Sequence, residues 1–187
     1  MRQFLLGGTL ILSLFQAAFA QDPNSYNDSD IQQIGAGHGA TVVQTSKYDS
    51  GNGSYLDQLG TDQHASVEQS AGGYASNGST IRQLGSGGNA DVKQSAGDEA
   101  GNSSVVEQDG FNNDALVDQE AQRTAGNNAM VRQIGSDNYA QVSQGVYTGF
   151  NSSILEIAGS ENQARVRQWP RKDRILRKSY SLEPGIA

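Results

Sequence analysis

Residues 77–94 read NGSTIRQLGSGGNADVKQ, and the same pattern returns five more times between Asn27 and Gln168. In this copy Asn77, Ser79, Ile81, Gln83 and Gly85 stand two residues apart, as do Ala90, Val92 and Gln94. A period of two is the strand period, in which alternate side chains share one face. Each copy is therefore predicted to hold two short strands. The first runs from near the Ser to the first Gln, and the second from the Ala to the second Gln. Between them, residues such as Gly87, Gly88 and Asn89 supply turn chemistry.

The columns repeat every 25 residues, and every 24 for the last copy. The first Gln falls at Gln33, Gln58, Gln83, Gln108 and Gln133, with Ile157 in its place in the sixth copy. The second falls at Gln44, Gln69, Gln94, Gln119, Gln144 and Gln168. Asn opens every copy, at Asn27, Asn52, Asn77, Asn102, Asn127 and Asn151. A branched aliphatic follows at Ile31, Leu56, Ile81, Val106, Val131 and Leu155. Gly stands two residues after the first Gln position, at Gly35, Gly60, Gly85, Gly110, Gly135 and Gly159, and is expected in the turn.

A lone copy has too little apolar surface to fold, so the copies must stack and bury their faces on one another. The expected fold is all-β: a six-layer β-solenoid of strand–turn–strand repeats, with two stacked parallel sheets of amyloid-like character. Equivalent residues then lie about 4.8 Å apart, and the inward Gln amides align in ladders, each donating to the carbonyl oxygen of a neighbouring layer. Outward positions agree with stacking. Before the first Gln the column reads Asp57, Arg82, Glu107, Arg132 and Glu156; before the second, three copies read Glu68, Lys93 and Asp118. Alternating signs avoid the repulsion that like charges would feel at that spacing.

Composition narrows the function classes. The chain has no Cys and two His, which leaves almost no ligands for a zinc-type site and no disulfide. No cofactor or metal is expected. Hydrophobic content of 35%, 23 Gly and a net charge of −7 would suggest disorder in a non-repetitive chain, and only the periodicity overrides that. Residues 1–20 read as a secretory signal peptide: Arg2, an apolar run from Phe4 to Phe15, and Ala18-Phe19-Ala20 as the cleavage site. The apolar run is shorter than the roughly 18–20 residues a membrane span needs. Export without membrane insertion is expected, with mature residues 21–26 as a short linker. The repeats occupy 27–44, 52–69, 77–94, 102–119, 127–144 and 151–168, followed by a tail over 169–187. Positive charge gathers at this end, in Arg165, Arg167, Arg171, Lys172, Arg174, Arg177 and Lys178, which are seven of the thirteen Lys and Arg residues.

Read as one string, Asn-x-Ser-x-(Ile/Leu/Val)-x-Gln-x-Gly-x4-Ala-x-Val-x-Gln resembles the curlin repeat of bacterial curli fibres. That family's pattern adds an Asn three residues after the Gly; this chain keeps it at Asn113, Asn138 and Asn162 and departs at His38, Gln63 and Gly88. The resemblance spans Asn27 to Gln168. It implies a chain held unfolded by a periplasmic chaperone, exported through a dedicated outer-membrane pore that engages the segment after the signal peptide, and polymerised on the cell surface into amyloid fibres of the biofilm matrix. Its partners would be other copies of itself and a second curlin subunit, with no nucleic acid. The family pairs a major subunit with a minor nucleator whose last repeat is rich in positive charge. The regularity of five copies favours the major subunit; Ile157 and the basic end are the features of a nucleator.

Two other classes compete. Catalysis would need a nucleophile, base and orienting group, and no such set surrounds His38 or His64. A monomeric solenoid adhesin would need an outward aromatic row, whereas Tyr48, Tyr74 and Tyr147 fall between layers.

Overall fold

The computed structural model describes residues 13–20, 24–169 and 182–183, with side chains described over 24–169. It is an all-β solenoid of six layers, and no helix occurs among the described residues. One sheet holds the first strand of every layer: β2 (Tyr26–Ala36), β4 (Gly51–Thr61), β6 (Ser76–Ser86), β8 (Gly101–Phe111), β10 (Gly126–Ser136) and β12 (Phe150–Ser160). The facing sheet holds the second: β3 (Gly39–Lys47), β5 (His64–Gly72), β7 (Asn89–Gly97), β9 (Asp114–Gln122), β11 (Tyr139–Val146) and β13 (Gln163–Gln168). All pairings between layers are parallel and in register, so Gln58 pairs with Gln33 and Gln83, and Val92 with Val67 and Val117.

Two further strands flank the second sheet. β1 (Ser13–Ala20), the end of the expected signal peptide, including Ala18 and Ala20, runs parallel to β3, with Ala18 in register with Gln44. β14 (Leu182–Glu183) pairs antiparallel with β13. Of the basic residues, Arg165 and Arg167 lie on β13 with exposed side chains. Arg171, Lys172, Arg174, Arg177 and Lys178 lie outside the described residues.

The core follows the period-two reading. From the first sheet, Leu56, Ile81, Val106 and Val131 are fully buried, and from the second, Ala90, Val92, Ala115, Val117, Ala140 and Val142. Hydrogen bonds across the core, from Gln83 to the His64 carbonyl and from Gln94 to the Gly78 carbonyl and Ser104 Oγ, set the first Gln row beside the Ala column, the branched aliphatics beside the Val column and the second Gln row beside the Ser column. A second, smaller core was not expected. Ala71, Ala75, Ala96, Ala100, Ala121, Ala125 and Val146 cluster where each layer passes to the next. The second-sheet strands run past the second Gln, so the inter-layer loops are shorter than the sequence suggested.

The repeating Gly sits elsewhere than expected. Gly35, Gly60, Gly85, Gly110, Gly135 and Gly159 are the penultimate residues of the first strands, still paired to their neighbours. Their φ angles lie between 110° and 134°, a region side-chain-bearing residues rarely enter. A Cβ on Gly85 would overlap the carbonyl oxygen of Gly110 in the next layer. Gly therefore bends the strand into the arc without breaking the ladder. The turn proper is two residues long, and its first is left-handed in every layer: Gly37, Asp62, Gly87, Asn112, Asp137 and Glu161.

Gly85→Val is expected to destabilise the fold by about 2–4 kcal/mol more than Ser86→Val, whose side chain points outward. Denaturant unfolding of the two variants measures the difference, and equal losses would contradict the strand-bend role of Gly85.

Candidate self-association faces

Three rows of side-chain amides run along the stack, the first through five layers and the other two through all six. In the first, Gln33 donates to Gln58 Oε1 at 2.6 Å, Gln58 to Gln83 at 2.8 Å, Gln83 to Gln108 at 2.8 Å and Gln108 to Gln133 at 2.9 Å. In the second, Gln44, Gln69, Gln94 and Gln119 each donate at 2.8 Å to the Gln of the next layer, and Gln144 donates to Gln168 at 2.7 Å. Both rows sit where the strand pattern placed them. Gln58, Gln83 and Gln133 are wholly excluded from solvent.

The third row is the Asn column, and its amides are hydrogen-bonded from layer to layer. Asn52 donates to Asn27 Oδ1 at 2.8 Å, and Asn77, Asn102, Asn127 and Asn151 each donate to the Asn below at 2.9 Å. A shorter fourth row crosses the turns, from Asn162 to Asn138 and from Asn138 to Asn113. In the first two layers, His38 and Gln63 occupy that place, and each contacts the backbone carbonyl four residues earlier in its own arc.

Each amide has two N–H groups, and the second one explains why Gln is required. Gln83 donates across the core to the carbonyl of His64, Gln108 to Asn89 and Gln133 to Asp114. The other row reaches back the opposite way, from Gln69 to Gly53, from Gln94 to Gly78 and from Gln119 to Ser103. These crossings tie the two sheets together and also fix which end of each amide carries nitrogen, because only the NH2 side satisfies a carbonyl. Asn, one methylene shorter, reaches the end of the preceding strand instead: Asn77 to Ser70 O and Asn102 to Ser95 O.

The outer faces carry weaker links. Arg82 meets Asp57 at 3.8 Å, Lys93 meets Glu68 at 3.1 Å and Arg132 meets Glu107 at 3.7 Å, in the columns whose signs alternate. Such exposed pairs contribute little individually. The Glu68 carboxylate, through its hydrogen bond and charge, holds Lys93 above the ordinary lysine range. Burial lifts the Asp91 carboxyl above its usual range, with Lys93 opposing.

The two ends of the stack are the candidate faces. At each end the first sheet stops at an uncovered strand among the described residues, β2 at one end and β12 at the other. In the second sheet the corresponding edges carry β1 and β14. Both terminal layers lay an aromatic ring over a glycine of the next layer inward: Tyr26 over Gly51, Phe150 over Gly126 and Trp169 over Gly145. These rings cover backbone that a side chain would otherwise protect. Ile157 takes the Gln place in the last layer and is buried. Tyr48 and Tyr74 are highly exposed in the inter-layer loops, and Tyr147 packs beneath the Arg123 guanidinium.

No family model matches this chain, and no curated protein or solved structure matches it either.

Gln83→Ala would strip Gln108 of its donor and the His64 carbonyl of its cross-core partner. A loss of about 2–4 kcal/mol is expected, against less than about 1 kcal/mol for its exposed neighbour Arg82→Ala. Denaturation midpoints of the two variants make the comparison.

Proposed function

We propose that the chain is a secreted structural subunit that stacks head-to-tail into a curli-type amyloid fibre of the biofilm matrix on the bacterial surface. The observation that carries this reading is the uniform parallel register through six layers, which among the described residues leaves complete strands uncovered at β2 and β12. Proteins that stay monomeric usually blunt such edges. An end-to-end contact between unlike faces does not close on itself, so it propagates as a filament. The work of the molecule is structural, with no cofactor and no catalytic step. Partners are further copies, a second curlin subunit, and, by resemblance, a periplasmic chaperone and an outer-membrane export pore engaging residues near 21–26.

A second reading rests on the last layer. Ile157 in place of Gln, with exposed Arg165 and Arg167 beside it, makes the two ends chemically unlike. That asymmetry suits a minor nucleator that templates another curlin. Trace amounts of the chain added to such a partner separate the two: loss of the partner's lag with little fibre mass from this chain favours the nucleator.

After removal of denaturant, the chain beginning at Gln21 is expected to give sigmoidal, seedable growth of thioflavin-positive material with a meridional spacing of about 4.8 Å. A persistently folded monomer would rule the fibre reading out and favour a solenoid adhesin. Gln44→Ala, which damages the first layer, is expected to slow elongation several-fold in the same assay. An unchanged rate would mean that this layer is not an attachment face.

A further inference from the structure

The amide rows have a direction, and it decides which end can meet which. In both Gln rows the amides donate toward the last layer; in the Asn row they donate toward the first. The first layer therefore begins the Gln rows with the oxygens of Gln33 and Gln44 and ends the Asn row with the nitrogen of Asn27. At the other end, Gln168 closes its row with a nitrogen and Asn151 with an oxygen. First layer against last layer, in the same orientation and with β1 and β14 off the second-sheet edges, joins donor to acceptor in the Gln44 and Asn27 rows. First against first sets oxygen on oxygen and nitrogen on nitrogen.

The remaining row does not close. Gln33 Oε1 is buried and has no hydrogen-bond partner. The side chain in line with it on another copy's last layer is that of Ile157, which offers only hydrocarbon. The outward columns agree. Arg165 and Arg167 stand in the columns that begin with Thr41 and Val43, so a copy's first layer brings no carboxylate opposite either cation. Inside the stack the same rows are continuous from Gln33 to Gln133, and three charge pairs link neighbouring layers.

Resting on the fibre reading above, we infer that residues 33 and 157 set the specificity of the joint. The first layer is built to receive the last layer of a different chain of the same repeat, one carrying an amide donor where this chain has Ile157. The joint between two copies of this chain is the weaker one. An unfilled buried carbonyl is costly because it has exchanged water for nothing, and an amide at 157 would fill it.

The test is self-assembly of the chain beginning at Gln21 as native sequence, as Ile157→Gln and as Ile157→Met. Met copies the length of Gln without its donor, so it reports any effect of shape or folding alone. The soluble concentration left at the plateau reads the strength of the joint. Ile157→Gln is expected to lower it about tenfold relative to native, with Ile157→Met close to native. Equal values for Gln and Met, or failure of Ile157→Gln to assemble while Met assembles, would overturn the inference and leave the fibre reading standing. If all three remain folded monomers, the fibre reading falls and takes this inference with it.

Discussion

A buried amide in this molecule has two donors to satisfy, and the architecture follows from where they go. One N–H must meet an oxygen one layer away, which demands that equivalent residues lie directly above each other. The other must meet a backbone carbonyl across the core, which sets the distance between the sheets. Gln meets both demands, as Gln83 does with Gln108 Oε1 and the His64 carbonyl. A slip of one residue in any strand would turn the amides to solvent and bring charged neighbours such as Arg82 or Lys93 inward. Register is thus enforced by polar groups, while Ile, Leu, Val and Ala fill the space between them.

Much of this was legible in the residues. Alternation at two placed the inward columns correctly, the 25-residue spacing required stacking, and the Gln rows and alternating charges were readable as ladders. The repeating Gly was misplaced because composition cannot distinguish a turn from a bent strand that keeps its pairing. Only the positive φ and the carbonyl of the neighbouring Gly reveal the difference. The Asn column is visible as a row in the repeat, but its direction, opposite to that of the Gln rows, is seen only in the structure. The alanine satellite core was missed for a different reason. Its columns are Ala in the middle layers, but Ser46 and Ser50 stand at the head of each, and the polar start masked the pattern. Ser50 compensates there by hydrogen bonding to the carbonyls of Lys47 and Ala71.

The pairing of Ser13–Ala20 with β3 could not be read from the sequence. An apolar run beside a small-residue site carries a targeting pattern and a strand pattern at once, and nothing local separates them. It covers one sheet edge of the first layer, while no described strand pairs with the outer edge of β2.

The alternating charges on the outer faces have a bearing on how such a gene could change length. Losing one 25-residue unit, say the layer of Arg82 and Lys93, would leave every hydrogen-bonded row intact, since the units superpose. It would, however, bring Asp57 against Glu107 and Glu68 against Asp118. Losing two adjacent units would instead set Asp57 against Arg132. In the column from Asp57 to Glu156, loss of one interior unit sets like charges together, and loss of two adjacent ones keeps opposite charges facing.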